Sequence, residues 1–199
     1  MFLVPPPHSH PVPGRGHAAA ILALLAVWAT GPLRAWDDKA PPITLPEQRT
    51  EYEFKAYYMV TVARFVEWPA AAQAGGDTLL IGILGRDPFG PALDAYAGRP
   101  VNGRKVVIRR SRDYRDLAGC QHLYISESEN EDFARIFKSL QGKGVLTFGE
   151  TEEFLQRGGI TRFLAGGGRL RMAINLRASR EANLKISSHL LAIMTVVNP

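Results

Sequence analysis

Short apolar runs alternate with segments of helical periodicity along this chain, and the alternation restricts its fold more than any other feature. The runs TLLIGIL, HLYIS and VLTFG, at 78–84, 122–126 and 145–149, have the length of strands and consist mostly of aliphatic and aromatic residues. Strands buried on both faces have this composition, and parallel strands are joined by helical crossovers. The sequence therefore predicts an α/β fold with a mostly parallel sheet.

Helices are predicted between and after these strands, where apolar residues recur at spacings of three and four. They cover residues 50–68, 88–97, 130–140, 150–157, 178–182 and 187–196. We expect Thr50, Asp87 and Asn130 to cap the first three of them, with Pro88 in the first turn of the second. The last segment is almost wholly apolar, so we expect a helix that is buried against the sheet.

The segments ITRFLA and RLRMAIN flank three glycines at 166–168 and predict an antiparallel hairpin. Asn102 and Gly103 predict a tight turn into a further strand at 105–110. The predicted fold class is therefore a single α/β domain with a mixed, mostly parallel sheet of about five to six strands. Helices are expected on both faces of the sheet, and the C-terminal β-hairpin is followed by helices.

The first residues have the pattern of an export signal. Basic residues precede an apolar run at 18–29, and small residues, among them Ala35, follow it. The run is shorter than the roughly 20 residues that a spanning helix needs, so we predict a signal peptide over 1–35; an uncleaved anchor is the alternative. Residues 36–49 contain three prolines and no apolar period, which predicts a flexible linker to a domain over 50–199.

The charge balance and the single cysteine argue against several classes of function. The chain has 24 Lys and Arg against 19 Asp and Glu, a net charge of +5, and removal of 1–35 takes two arginines and leaves +3. This mild charge does not indicate a nucleic-acid partner, which needs a clustered basic patch. Cys120 has no second cysteine for an intramolecular disulfide, and with His122 and His189 it does not supply a zinc ligand set. We therefore predict no metal and no cofactor.

The stretch ILGRDPFG, at 83–90, leads from a strand to a helix, where many nucleotide-binding proteins have their phosphate loop. Gly85 and Gly90 have the P-loop spacing, but proline and alanine follow where a lysine and a serine or threonine are needed. The structural interpretation is a capped helix start. The alternative is a small-anion or metabolite site at an exposed helix N-terminus, with Gly85, Arg86, Gly90 and Arg171 as candidate residues.

Nucleophilic catalysis finds no support in the sequence. No G-x-S-x-G elbow occurs, and the contiguous Ser187, Ser188 and His189 would spread around a helix instead of forming a relay. Cys120, as a lone thiol before a strand, is expected to be a buried small hydrophobe. We predict that the protein is not an enzyme.

The motif FVEWP, at 65–69, supplies candidates for protein binding. Its first two residues continue the apolar stripe of the first helix. Trp68 either packs at the end of that helix or presents an exposed aromatic ring to a partner. Glu67 and Trp68, together with Arg86 and Asp87, are our candidate partner-binding residues.

Six stretches in a fixed order resemble the YfiR family of small exported proteins. They extend from about Tyr52 to the C-terminus and are FKAYYMVTVARFVEWP, LGRDPFG, VNGRKV, CQHLYIS, VLTFGE and RLRMAINLRASREANLKISSHLL. One departure is Gly82, where relatives often have a cysteine within ICxLG. Cys120 thus lacks the disulfide partner that the resemblance implies.

The resemblance implies a periplasmic, non-catalytic signalling protein. Such a protein would bind the periplasmic sensor domain of an inner-membrane diguanylate cyclase and repress the enzyme, which lowers cyclic-di-GMP and biofilm formation. The resemblance also implies a homodimer. The alternative function is a periplasmic receptor for a small anion or metabolite.

Overall fold

The computed structural model describes residues 50–73, 76–166 and 169–198. The predicted signal peptide over 1–35 and linker over 36–49 lie outside these residues. The α-helices are α1 Glu51–Thr61, α2 Pro91–Asp94, α3 Phe133–Leu140, α4 Glu153–Gln156, α5 Leu176–Glu181 and α6 Ser188–Leu191, and the 3-10 helices are Val62–Phe65, Ala70–Gln73, Tyr114–Leu117 and Glu127–Asp132. The strands are β1 Val66–Glu67, β2 Thr78–Leu84, β3 Pro100–Val101, β4 Arg104–Ser111, β5 His122–Ile125, β6 Leu146–Gly149, β7 Thr161–Gly166, β8 Arg169–Asn175, β9 Lys185–Ile186 and β10 Thr195–Val197.

Eight of the strands form one sheet in the order β10-β8-β7-β6-β5-β2-β4-β3. Neighbouring strands are parallel except in the β7–β8 hairpin and the β3–β4 pair. The remaining two strands, β1 and β9, form a separate antiparallel ribbon. The mixed, mostly parallel sheet and the C-terminal hairpin are confirmed. The sheet exceeds the predicted five to six strands because β3 and β10 are too short to leave a readable period in the sequence.

Alternate side chains of the central strands pack into two separate apolar clusters, one on each face of the sheet. On one face Met59 of α1 packs in a cluster with Ile81 of β2. On the other face Phe133 of α3 packs in a cluster with Leu123 of β5. All four side chains are at most 1% exposed, so each contributes about 1.5–3 kcal/mol through burial. Helices therefore cover both faces, as predicted.

The first helix begins as the sequence predicts and ends earlier. Thr50 and Glu53 form a capping box, in which the Glu53 N–H donates to Thr50 Oγ1 at 3.3 Å and the Thr50 N–H donates to Glu53 Oε2 at 2.6 Å. The helix becomes a 3-10 helix after Thr61, and the chain is extended from Val66. The predicted end at Trp68 is corrected because residues 66–67 pair with β9 instead of continuing the helix.

The C-terminal helix predicted over 187–196 is wrong. A single helical turn, α6, is followed by β10, whose residues pair in parallel with β8. An apolar run of this length is compatible with a strand as well as a helix, and the β-branched residues Thr195, Val196 and Val197 favour the strand. Nor is the segment fully buried, since Ile193 and Val196 are 58% and 41% exposed.

Two predicted helix starts are also corrected. The segment 88–97 contains only the short α2, whose N-cap is Gly90 and whose first residue is Pro91. Asp87 instead accepts the N–H groups of Phe89 and Gly90 at 2.8 and 3.3 Å, which forms a turn before the helix. In the segment 130–140, a 3-10 helix capped by Ser126 precedes α3, so Asn130 is not the cap.

Candidate functional site

The carboxyl ends of the parallel strands form the candidate site. The chain leaves β2 for β4 on one side and returns to β5 on the other, so the topological switch point of the sheet lies between β2 and β5. Open α/β sheets bind ligands in the crevice that such a reversal creates. A cleft of about 290 Å³ lies here, and its lining includes Tyr52, Arg86, Tyr124, Glu127, Ser128 and Glu150.

A buried lysine of α1 lies beside this cleft. Lys55 is 1% exposed, and its Nζ lies 2.5 Å from both Glu51 Oε1 and Glu150 Oε2. Burial by itself lowers the pKa of Lys55, but the hydrogen bonds that its ammonium group donates to Glu150 and Glu51 outweigh this effect, and the pKa is raised above its ordinary value. The ammonium group is therefore charged at neutral pH and holds two carboxylates.

Glu150 connects Lys55 to the sheet. It directly follows β6, and its Oε1 accepts a hydrogen bond from the Tyr124 hydroxyl at 2.7 Å. Burial and the charge of Glu150 raise the pKa of Tyr124. The Tyr52 ring lies against the same ammonium group, with its centroid 4.5 Å from Lys55 Nζ. The network is fixed at both ends, by α1 and by two strands.

The loop after β2 borders the cleft. Gly85 has a φ of +86°, and a Cβ at this position would collide with Ser128 and Glu129, so only glycine fits. The Arg86 N–H donates to Ser128 Oγ at 3.2 Å, and its side chain is exposed. The Asp87 carboxylate is used within the fold, where Arg110 Nε donates to it at 2.6 Å. Among the described residues, Asp87 forms an ion pair and Arg86 does not.

The other predicted partner residues, Glu67 and Trp68, lie on the side of the sheet where β5 begins. Trp68 is 8% exposed and packs on His122, the first residue of β5, with ring centroids 5.4 Å apart. The Trp68 ring is thus packed in the core, as the packing interpretation expects, and is not a surface contact in this conformation. Glu67 is exposed and lies 3.4 Å from Lys185 Nζ. Trp68 is buried where β5 begins, whereas Arg86 and Asp87 follow the carboxyl end of β2, so the four residues do not form one exposed surface.

The four residues of the anion-site alternative are also not brought together. Arg171 is exposed on β8, and β7, β6 and β5 lie between β8 and β2. Gly90 is the N-cap of α2. Only Gly85 and Arg86 belong to the loop beside the cleft, and anion binding by this set stays a prediction.

The lone thiol has the environment expected of a small hydrophobe. Cys120 is 3% exposed, and burial raises its pKa to about 12. Within the described segments, no group of three or more His, Cys, Asp or Glu side chains is arranged to hold a metal ion. No helix in the described part of the chain has the length and apolar character needed to cross a membrane.

The sequence interpretation missed the Lys55 network and the exposed side of α1. The position of Lys55 within the apolar stripe of the first helix was a signal for the network, since buried lysines need carboxylate partners. No such signal marked the exposed residues: Tyr57 and Phe65 are 42% and 39% exposed although both lie among apolar neighbours in the sequence. We refer to Tyr57 of α1 and the exposed Arg64, Phe65 and Glu67 of the segment that follows it as the α1 surface.

Of three comparisons with known proteins, the one with family models places the chain in a family. No curated protein matches the sequence significantly. Two solved structures are similar: a conserved domain protein from Vibrio cholerae O1 biovar El Tor, with 13% identity and a TM-score of 0.49, and the ABC domain in complex with L-Trp from Streptococcus pneumoniae, with 10% identity and a TM-score of 0.48. The matches cover 74% and 73% of this chain but only 60% and 62% of those chains.

The model of the family DUF4154, described as YfiR/HmsC-like, matches residues 52–194. The chain belongs to the YfiR/HmsC-like family.

Proposed function

We propose that this protein is a periplasmic, non-catalytic regulator that binds and represses a membrane-bound diguanylate cyclase. Repression of the cyclase lowers cyclic-di-GMP and with it biofilm formation. The observation that carries the proposal is the family match, which extends over residues 52–194 and thus over nearly all of the described domain. The partner is the periplasmic sensor domain of the cyclase or of a related inner-membrane signalling protein.

The state of two reactive side chains supports a non-catalytic role. The thiol of Cys120, with its pKa raised to about 12, stays protonated at neutral pH and is a poor nucleophile. The imidazole of His122 is fully buried, and burial lowers its pKa to about 3, so a substrate cannot reach it as a general base. Both side chains instead pack in the core.

The α1 surface is the part of the protein that best suits a partner. Tyr57 and Phe65 are large aromatic side chains of the kind that dominates binding energy in interfaces. Arg64 and Glu67 add charges of both signs at the edge of the patch, which suits a polar rim. Glu67 is the one residue that this surface shares with the partner-binding residues expected from the sequence.

Deletion and complementation test the proposal. Deletion of the gene in its own bacterium is expected to raise cellular cyclic-di-GMP, and the wild-type gene is expected to restore the low level. Phe65→Ala is expected to accumulate in the periplasm and fail to restore it, because truncation of one aromatic hot spot costs about 2 kcal/mol of binding energy or more. Val196→Ala, which removes a similarly exposed apolar side chain from β10, serves as the matched control and should restore repression.

The two parts of the proposal can fail separately. An unchanged cyclic-di-GMP level after deletion would contradict the repressor function. A rise that Phe65→Ala reverses as well as wild type would leave the repressor function standing and reject the α1 surface. The expected homodimer remains a prediction, and light scattering of the exported protein measures it directly.

A further inference from the structure

The rim of the switch-point cleft carries charged side chains that the packing of the fold does not use. Its floor is the carboxylate of Glu150, whose side chain is 25% exposed although both of its oxygens are engaged. Its rim carries Arg86 and Glu127, both exposed. Neither rim side chain forms an ion pair within the described part of the chain.

The charge of the cleft argues against a simple anion. Lys55 faces two carboxylates, Glu51 and Glu150, so these three side chains together keep one negative charge. The charges of Arg86 and Glu127 cancel, and the cleft as a whole is therefore negative. An anion at Arg86 would be repelled by the carboxylates of Glu127 and Glu150, which line the same cleft.

Glu127 lines the cleft together with two tyrosines, Tyr52 and Tyr124. Its charge is among those that raise the pKa values of Tyr52 and Tyr124, after the larger effects of burial and of Glu150. Both tyrosines line the cleft, and Tyr52 is the less buried of the two, so an ammonium group placed between Glu127 and the Tyr52 ring would gain a carboxylate partner and an aromatic contact. The planar guanidinium of Arg86, which also lines the cleft, suits a carboxylate.

We propose that the switch-point cleft binds a small zwitterion. Its ammonium group lies at Glu127, on the side of Tyr52 and Tyr124, and its carboxylate lies at Arg86. The volume of about 290 Å³ is near the lower limit of ligand pockets, about 300 Å³, so the ligand is a small metabolite. The site replaces the anion set of Gly85, Arg86, Gly90 and Arg171, of which it retains Arg86.

NMR titration of the exported, ¹⁵N-labelled protein tests the proposal. The probes are three zwitterions of increasing span, glycine, 4-aminobutyrate and 6-aminohexanoate, and two analogues with one charge each, butylamine and butyrate. We expect at least one zwitterion to shift the amides of Arg86 and Ser128 saturably below about 20 mM. Its affinity should exceed that of either singly charged analogue by about tenfold.

Charge-removing variants assign the two ends of the ligand. Glu127→Gln is expected to weaken binding of the zwitterion and of butylamine by about tenfold, and Arg86→Met to weaken the zwitterion by a similar factor without affecting butylamine. The matched controls are Glu152→Gln and Arg180→Met, which remove exposed charges outside the cleft. Unchanged thermal melting of all four variants shows that they fold.

Three results would overturn the inference. If butyrate binds as tightly as the best zwitterion, the cleft is an anion site; if butylamine does, it is a cation site. If none of the five probes shifts the cleft amides at about 20 mM, the cleft does not bind this class of ligand. None of these results bears on the cyclase, because cyclic-di-GMP is measured separately in the deletion strain.

Discussion

Replacing His122 by leucine is expected to remove part of the protein's sensitivity to acid. His122 begins β5, is 0% exposed, and lies between the rings of Trp68 and Phe148, each 5.4 Å away between centroids. Within the described residues, its ring nitrogens have no hydrogen-bonding side-chain partner. Burial lowers the pKa of His122 to about 3, an effect that the Met59 backbone opposes and the charge of Arg104 adds to.

The magnitude follows from the difference between the folded and unfolded pKa values. The unfolded histidine takes up its proton near pH 6.5, whereas the folded one stays neutral until about pH 3. Stability is therefore fully present above pH 6.5 and is lost as the pH falls toward 3, by about 1.4 kcal/mol for each pH unit. Between pH 7 and pH 5, His122 alone should lower the free energy of unfolding by about 2 kcal/mol.

Urea unfolding at pH 7 and pH 5 measures this loss. The wild-type protein should lose about 2 kcal/mol more than His122→Leu over this interval, since acidic groups common to both proteins cancel in the comparison. His189→Asn is the matched control, because His189 is exposed, and it should lose as much as wild type. Equal losses for wild type and His122→Leu would refute the reasoning, as would an NMR titration of His122 with a midpoint near pH 6.

Two further predictions concern the stability of the fold. In Gly82→Cys, the new Cβ would lie 2.8 Å from Cys120 Sγ, close to the roughly 3 Å that a disulfide sets between these atoms. We expect a disulfide that raises the free energy of unfolding by about 4 kcal/mol; urea unfolding with and without reductant measures it, and two free thiols after oxidation would contradict it. Thr50→Ala should cost about 1 kcal/mol of unfolding free energy by removing the capping box, while Thr50→Ser should retain most of it. Equal stability of the alanine and serine variants would speak against a contribution from the cap.

The sequence predicts those parts of the fold whose residues carry their own pattern. β2, β5 and β6 are apolar runs of strand length, and the sequences of β7 and β8 flank consecutive glycines, so each is readable locally. β10 is not, because a short apolar run at the end of a chain suits either a helix or a strand until a neighbour pairs with it. The β1–β9 ribbon is only two residues long on each side, and no period exists over that length.

The candidate site was less predictable than the fold for a related reason. Lys55 and Glu150 are 95 residues apart in the sequence. They meet only because α1 packs on the sheet with Lys55 next to the carboxyl end of β6. Arg86 could be identified from its place after a strand, but the opposing Glu127 follows a different strand. The spacing of residues along the chain does not indicate such contacts. The order of the strands in the sheet does indicate them, because it gives the position of the switch point.

The short edge strands restrict how another protein can bind. An exposed sheet edge recruits partner strands when it is long, flat and rich in free N–H groups. Here one edge is β3, with two residues of which one is Pro100, and the other is β10, with three residues. Proline has no N–H group to donate, and three residues offer few backbone bonds. A partner strand that extends the sheet is therefore expected to pair not with these two short strands but with β4 beyond Lys105 or with β8 before Ala173, where no strand of the described residues pairs on the outer side.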